Sequence, residues 1–429
     1  MSKRSLDELL EERRRSVNPA LSISYDQPLH IVRGRGSKLY DAAGDEYLDC
    51  VNNVCHVGHQ NEHVVDALTR QASLLNTNTR YVYEGLSSYS TRLAATLPAP
   101  LEVVYLVNSG SEANDLALRI VRQVTGRANV VVLDAAYHGH TGSVIELSPY
   151  KLNGKGGRPI PEHVFVAPSP DPYRGLHRGA SSGQAYAREV ASRAEEAQAR
   201  GGLAGFFFES IQSCGGQIEP APGFLESACR AVRERGGLVV ADEVQVGFAR
   251  VGSHWWGFET QGIVPDIVTL GKPIGNGHPL AAVVTTRAIA DAFDNGMEYF
   301  NTFGGNPVSC AVGHAVLDVI EREDLQSNAR TIGGAMLDGF RSLASRHEAI
   351  GDVRGRGLFT GIEFVRDRAT REPAPELARR VVELALTDRV LLSRDGPDEN
   401  VLKFKPPMVF DVADTDRLLT TLEKALKLL

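Results

Sequence analysis

Long apolar runs, basic clusters and paired cysteines are all missing from this chain of 429 residues, and each absence excludes a class of protein. No apolar stretch approaches the roughly 20 residues that a membrane-spanning helix needs. The formal net charge is -7 and no long basic run is present, which argues against nucleic acid and anionic membranes as partners. The expected partners are small molecules and a second copy of the chain.

The cysteines and the first residues bear on the compartment. Five cysteines form no Cys-x-x-Cys pair, and an odd number of them fits reduced thiols. The first residues lack the apolar core of a signal peptide and are too acidic for a transit peptide. We therefore expect a cytoplasmic protein. His56, His59 and His63 match no zinc-site spacing, so we expect a loop and a helix start there and no metal.

The middle of the chain alternates short apolar segments with helical stretches, which predicts parallel strands with crossover helices. The fold class is thus α/β, with a large domain in which helices cover both faces of a mostly parallel sheet. The predicted strands are 103–108, 129–134, 203–208, 238–242, 266–270 and 281–285.

The ends of the chain have a different rhythm. Residues 31–51 resemble a β-meander, and the residues beyond 311 predict a smaller α+β domain. We expect three parts: an N-terminal segment (1–60) that packs with the small domain, a large domain (61–310) and a C-terminal small domain (311–429).

Lysine is scarce, and one of the nine lysines stands apart. Lys272 follows a short apolar strand and opens a loop rich in glycine and proline, whereas the other eight lie in polar, terminal or charged surroundings. Burial favours the neutral amine, and a neutral amine attacks carbonyl groups. Taken alone, the same pattern also fits a lysine at a sheet edge that extends its ammonium group into water.

Other strand ends carry polar residues, and ligands of α/β sheets collect at these ends. Residues 108–114 follow one strand and begin a helix, which predicts a phosphate-binding turn; a capped helix start is the alternative. Residues 137–142 follow another strand and offer an aromatic face. Asp242 ends a third buried strand and needs a cationic partner there, either a protonated ring nitrogen or Arg250.

A phosphate-binding turn, an aromatic face, a carboxylate at a strand end and a desolvated lysine are together what pyridoxal 5′-phosphate requires. From about residue 25 to its end, the chain resembles the class III aminotransferase family, which has fold type I.

The resemblance implies roles for residues at the first two strand ends. Gly110 and Ser111 resemble the family's phosphate-binding loop. Tyr137 resembles the residue stacked on the pyridine ring, with His138 and Gly139 beside it.

It also implies roles at the later strand ends. Asp242 resembles the partner of the pyridine nitrogen, Val244 the residue packed on the opposite ring face, and Gln245 the contact to the ring hydroxyl. Lys272 is implied to bind the cofactor as a Schiff base. Thr302 resembles the threonine that reaches the cofactor phosphate of the neighbouring subunit, which implies a homodimer with shared active sites.

The substrate has to be argued separately, because one family performs several reactions. Many of its aminotransferases carry a Glu-Pro-Ile-Gln-Gly-Glu run whose last glutamate pairs with an arginine shortly before a Pro-Pro dipeptide. Here residues 209–214 end in cysteine, and Lys403 and Lys405 precede the prolines. Two cations with one fewer carboxylate suit a dianionic group, so we expect Lys405, with Lys403 and Arg394, to bind a substrate phosphate; plain surface charges are the alternative.

Residues 51–59, 300–307 and 401–407 are similar to the ethanolamine-phosphate phospho-lyase branch of the family. The resemblance implies elimination of phosphate from O-phosphoethanolamine or a related amino-alcohol phosphate, giving acetaldehyde, ammonia and phosphate. The alternatives are an ω-amino acid:pyruvate aminotransferase, which uses the same cofactor residues, and a binding protein without cofactor.

Overall fold

The computed structural model describes residues 4–429, which form three main β-sheets and the helices around them. The N-terminal segment begins with a charged helix. Its cap is reciprocal, because the Ser5 hydroxyl accepts the Glu8 amide at 3.2 Å and the Glu8 carboxylate accepts the Ser5 amide at 2.7 Å. The elements of this segment are α1 (Leu6–Ser16), β1 (Ile31–Arg35), β2 (Lys38–Asp41) and β3 (Glu46–Asp49).

The middle of the chain forms a seven-stranded sheet with the order β4-β10-β9-β8-β7-β5-β6. Strands β5, β7 and β9 are buried along their whole length, as expected of strands covered on both faces. The predicted α/β class is confirmed. The elements are α2 (Glu62–Leu74), α3 (Glu84–Ala94), β4 (Leu101–Val107), α4 (Gly110–Thr125), β5 (Asn129–Leu133), α5 (Pro149–Leu152), β6 (Val164–Ala167), α6 (Gly183–Ala199), β7 (Leu203–Glu209), α7 (Phe224–Glu234), β8 (Leu238–Asp242), β9 (Ile267–Leu270), β10 (Ala281–Thr286) and α8 (Arg287–Phe293).

Two details of the large sheet differ from the sequence prediction. Strand β10 is antiparallel to both of its neighbours, β4 and β9, although the alternation predicts a parallel strand. The connection from β9 to β10 contains only a single 3-10 turn (Lys272–Gly275), which is too short for a crossover helix. The four-residue edge strand β6 escapes the prediction because it is short and follows a loop rich in glycine and proline.

The last part of the chain forms the smaller α+β unit. Its sheet has the order β11-β12-β16-β15, and two consecutive helices, separated at Asp324 with φ +47°, precede it. The elements are α9 (Pro307–Arg322), α10 (Leu325–Arg346), β11 (Ile350–Arg356), β12 (Phe359–Asp367), β13 (Glu372–Pro373), α11 (Pro375–Thr387), β14 (Val390–Leu391), β15 (Ser393–Asp395), β16 (Val401–Phe404) and α12 (Val412–Leu426).

The N-terminal segment and the small unit share a sheet. Strand β14 pairs in parallel with β3 and completes the order β1-β2-β3-β14. The domain boundaries at residues 60 and 310 stay a prediction, but this pairing accounts for the expected packing of the first segment with the last.

The three histidines near residue 56 have separate partners. A ring nitrogen of His56 lies 2.7 Å from the Phe248 carbonyl oxygen, and His59 and His63 pair with Asp49 and Asp318. Within residues 4–429 no group of histidine, cysteine and acidic side chains is arranged to hold a metal ion. None of the helices in that range is both long and apolar enough for a bilayer span.

Candidate active site

The carboxyl ends of β4, β5, β8 and β9 open into a cavity of about 360 Å³. The cavity brings together residues that lie as far apart in the chain as Val54 and Leu280. Nine of the ten residues predicted to bind the cofactor line it, namely Gly110, Ser111, Tyr137, His138, Gly139, Asp242, Val244, Gln245 and Lys272. The tenth, Thr302, is exposed and lies outside the cavity.

Lys272 follows an interior strand of the sheet, since β9 lies between β8 and β10. The alternative of a lysine at a sheet edge is therefore wrong. Burial lowers the pKa of the Lys272 amine, and the nearby Asp242 carboxylate opposes the shift. The backbone at Lys272 has φ +32°, a conformation that a residue with a side chain rarely adopts and that concentrates at functional sites.

Asp242 is a buried carboxylate with three donors. Its Oδ2 accepts the Asn114 side-chain amide and a ring nitrogen of His138, both at 2.8 Å, and its Oδ1 accepts the Val244 amide at 3.1 Å. Arg250, the alternative partner, instead donates to the carbonyl oxygens of Leu358 and Pro406. The carboxylate is thus fixed in the cavity wall with no arginine against it.

The start of α4 has the close packing that a phosphate-binding turn requires. A side-chain carbon at Gly110 would lie 2.9 Å from Val244 Cγ1, and one at Gly139, where φ is +134°, would lie 2.7 Å from Ser111 Oγ. The amides of Gly110 and Ser111, at the first positions of the helix, have no hydrogen-bond partner in residues 4–429. Ser109 caps the same helix by accepting the Glu112 amide at 3.2 Å. A capped helix start and a phosphate-binding turn are therefore compatible at this position.

The wall beyond Gln245 carries the two predicted lysines. Gln245 Oε1 accepts the Asn53 side-chain amide at 2.6 Å and Lys405 Nζ at 3.4 Å. Lys403 Nζ lies 3.0 Å from Asp395 Oδ1, and Lys405 Nζ lies 3.8 Å from Asp395 Oδ2. Asp395, on the neighbouring strand, is a carboxylate partner of both lysines that the sequence does not predict.

The pairing of β15 with β16 explains which side chains meet. Asp395 is opposite Val401, so Asp395, Lys403 and Lys405 share one face of the sheet. Arg394 points to the other face, where it pairs with Glu399 at 3.2 Å and donates to a backbone carbonyl. The structure therefore does not bring Arg394 to the two lysines, and this geometry does not support its predicted role in binding a phosphate.

A family model described as aminotransferase class III matches residues 21–426. The chain belongs to the class III aminotransferase family. Two curated relatives of this class III enzyme span nearly its whole length. An alanine–glyoxylate aminotransferase 2-like protein of Drosophila melanogaster is 49% identical, over 97% of this chain and 86% of the relative. The ethanolamine-phosphate phospho-lyase homolog 1 of Caenorhabditis elegans is 40% identical, over 99% and 94%.

A solved structure is similar throughout. A phospholyase from Arthrobacter, in complex with phosphoethanolamine, superposes with a TM-score of 0.93 at 41% identity and covers 98% of this chain and 100% of its own. The class III chain thus has fold type I, and the α/β sheet with a second, smaller unit is the arrangement expected of it.

The cofactor of this class III enzyme is pyridoxal 5′-phosphate. The cavity fits it, because free amides for a phosphate, a carboxylate for a ring nitrogen and an amine for an aldehyde all face one space. Tyr137 and Val244, which also line the cavity, are the residues expected on the two ring faces. When bound, the cofactor accepts the electron pair that is released at the substrate carbon bearing the amine.

Sequence reasoning missed several residues of the class III site. Asn114 bonds Asp242, and its position one helical turn after Gly110 on α4 was a usable signal. Asn53, which donates to Gln245, and Gln217, which donates to Asp395 at 3.1 Å, lie far away in sequence and carried no local signal. Only the pairing of distant segments identifies them.

Proposed function

We propose that this enzyme eliminates phosphate from O-phosphoethanolamine or a related amino-alcohol phosphate, giving acetaldehyde, ammonia and phosphate. The observation that carries the proposal is the pair Lys403 and Lys405, of which Lys405 contacts Gln245 in the wall of the cofactor cavity. Two ammonium groups with a single shared carboxylate leave an excess of positive charge for a dianion. The names of the Caenorhabditis relative and of the Arthrobacter structure support the same substrate class.

The chain's own residues account for the steps around the cofactor. Lys272, whose pKa is lowered by burial, is placed to remove the proton from the carbon bearing the amine. The lysine wall holds the phosphate on the adjacent carbon, so the C–O bond breaks and the phosphate leaves with the bonding electrons. The elimination leaves a two-carbon enamine, which takes a proton at its terminal carbon, supplied by the ammonium group of Lys272, and becomes an imine. The imine takes up water and yields acetaldehyde and ammonia. An anion site that favours departure of phosphate over reprotonation at the cofactor decides between elimination and amino transfer.

Incubation of the holoenzyme with O-phosphoethanolamine tests the proposal directly. We expect equal amounts of phosphate and acetaldehyde, with no need for a keto acid. The second candidate is an ω-amino acid aminotransferase, which the Drosophila relative's name favours. Alanine formed from pyruvate, without release of phosphate, would establish that candidate instead.

Cys214 offers a sharper test because it stands where many class III aminotransferases carry a glutamate. Its thiol lies in the field of Lys403 and Lys405, and burial raises its pKa to about 12, so it brings no charge to the wall. In Cys214→Glu a second carboxylate neutralises the lysines, and we expect KM for O-phosphoethanolamine to rise about tenfold or more. Cys214→Ser is the matched control and leaves KM within about twofold. A KM that is unchanged in Cys214→Glu would contradict the placing of the substrate phosphate at this wall.

We also propose a homodimer with shared active sites, formed through an apolar patch of Tyr81, Val82, Met297 and Phe303. These side chains are between 67% and 104% exposed, which is unusual for a single chain in water. The two segments of the patch lie together, since Arg80 stacks on the Phe300 ring at 4.3 Å. Thr302 lies within this patch, consistent with a contact to the partner's cofactor.

A charge placed in the patch tests the dimer. We expect Val82→Asp to elute with half the mass of the wild-type enzyme and to lose cofactor and activity together, because an aspartate at the centre of an apolar interface is left without a partner. Val412→Asp, at an exposed position of α12, is the control and keeps both the dimer and the activity. A wild-type enzyme that is fully active as a monomer would refute shared sites.

A further inference from the structure

The carboxylate of Asp395 is buried in the wall that carries Lys403 and Lys405, the proposed binding site of the substrate phosphate. Asp395 and Lys405 are 6% and 4% exposed, so the pair is cut off from solvent. Asp395 Oδ1 is taken by Lys403 at 3.0 Å, while Oδ2 accepts Gln217 Nε2 at 3.1 Å and faces Lys405 Nζ at 3.8 Å. A negative charge in a pocket that has to bind an anion weakens that binding, so its presence needs a reason.

The surroundings of Lys405 supply the reason. Lys403, two residues earlier in the chain, repels it, and Lys272, which follows β9, repels it as well. From the other sides it meets uncharged groups: the Gln245 amide, the neutral Cys214 thiol and the Phe359 ring at 5.5 Å. Asp395 is the one carboxylate within ion-pair distance of the Lys405 ammonium group in the described part of the chain.

We propose that Asp395 is a positioning residue that keeps Lys405 in its ammonium form, and so sets the upper pH limit at which the site binds a phosphate. The inference rests on the proposed function, since it takes the lysine wall as the binding site of the substrate phosphate. Asp395 thereby supplies the charge balance that the glutamate at the position of Cys214 supplies in many class III aminotransferases, but from the neighbouring strand.

The direction of the pH effect follows from the balance of these groups. Burial and the neighbouring Lys403 lower the pKa of Lys405 to about 8, and Asp395 opposes them. Lys405 is therefore charged below about pH 8 and loses its proton as the pH rises through that value. Removal of Asp395 takes away the opposing contribution, so the proton is lost at a lower pH.

The test uses the holoenzyme and two readouts at a series of pH values from about 6 to 9, a range in which sulfate keeps a constant charge. The first is the affinity for inorganic sulfate, measured by calorimetry as a dianion that does not react. The second is kcat/KM for phosphate release from O-phosphoethanolamine. In the wild-type enzyme we expect both to fall above about pH 8.

For Asp395→Asn we expect the sulfate affinity and kcat/KM to decrease at a pH lower by about one unit or more. This is the usual effect of one charge at such a distance. Near pH 8 both readouts then decrease by about fivefold relative to the wild type, and near pH 9 by about tenfold. Near pH 6 sulfate binds at least as tightly as in the wild type, because the wall has lost a negative charge. A merely structural role for Asp395 predicts a loss that does not depend on pH.

Three further variants separate this effect from damage to the fold. Asp395→Glu retains the charge and restores the wild-type limit. Asp398→Asn, which removes an exposed carboxylate paired with Arg174 at 2.7 Å, leaves it unchanged. Lys403→Gln removes the repelling charge and moves the limit to higher pH, so the charge balance remains testable even where Asp395→Asn fails to fold.

The outcomes also distinguish this inference from the proposed function. Release of phosphate by the wild type with an unshifted limit in Asp395→Asn and Lys403→Gln refutes the role of Asp395 and leaves the phospho-lyase reaction standing. Sulfate binding that shifts as expected in an enzyme that releases no phosphate refutes the phospho-lyase reaction and leaves the role of Asp395 standing. Absence of sulfate binding at every pH refutes the anion site itself.

Discussion

Replacement of Lys272 by alanine lowers turnover by about 10⁴-fold or more, whichever reaction the enzyme performs. Proton transfer by a positioned side chain contributes about 10²–10⁴ to a rate, and Lys272 is also expected to hold the cofactor covalently. Within residues 4–429 it is the lysine that lines the cavity, so no neighbouring amine takes its place. The measurement is single-turnover consumption of O-phosphoethanolamine and of an ω-amino acid, with the covalently bound cofactor followed by its absorbance.

The variant is expected to stay folded. Burial lowers the pKa of Lys272, so the unfolded chain binds the proton more tightly and the charged amine costs stability at neutral pH. The melting temperature of the cofactor-free variant should therefore equal or exceed that of the cofactor-free wild type. Lys155→Ala, at an exposed loop position, is the matched control and keeps full activity. Turnover by Lys272→Ala within about tenfold of the wild type would overturn the assignment of this lysine.

Replacement of Asp242 by asparagine lowers turnover by about 10²–10³-fold while the cofactor stays attached. The carboxylate faces the position expected for the ring nitrogen, and loss of one preorganised electrostatic group typically costs a rate factor of this size. Lys272 is untouched in this variant, so the absorbance of the bound cofactor remains. The two substitutions thus separate attachment of the cofactor from its activation.

The contacts of Asp242 predict a modest cost in stability as well. An asparagine keeps one oxygen for Asn114 and His138 but turns an amide toward the Val244 amide, which opposes two donors. We expect the free energy of unfolding to fall by about 1–3 kcal/mol. Asp266→Asn is the control, because Asp266 precedes β9 at the opposite end of the sheet and pairs with Arg233 at 3.1 Å. Equal loss of activity in both variants would point to general destabilisation and against a role at the ring.

The strands, the helices and most of the cavity could be predicted because their signals are local. A short apolar run that ends in a polar or small residue marks a strand end, and the strand ends of an α/β sheet meet at one edge. Lys272, Asp242 and the start of α4 were all found in this way. The direction of β10 could not be read from its composition, since direction depends on the length of the connection before it.

The wall that carries Lys403 and Lys405 shows what local signals leave out. The sequence identifies two lysines, but the partner Asp395 is defined by strand register, and Gln217 by the packing of the segment after β7 against β15. A shift of register by one residue would exchange Asp395 for Arg394 and reverse the sign of the charge beside the lysines. The chemistry of this wall is therefore a property of the assembled sheet.

The pairing of β3 with β14 has a consequence for the order of assembly during synthesis. Leu48 and Asp49 find their partners Val390 and Leu391 about 340 residues later in the chain. At ordinary speeds of translation, β14 is synthesised roughly 20–70 s after β3, so the edge of β3 stays unpaired for that time. The Cys50 carbonyl oxygen accepts the Lys405 amide at 2.9 Å, and this bond forms later still because Lys405 follows β14 in the chain. The wall that carries Lys403 and Lys405 is thus among the last parts of the molecule to form, and a nascent chain that stops before residue 405 already contains Lys272 but lacks one of the two lysines proposed to bind a phosphate.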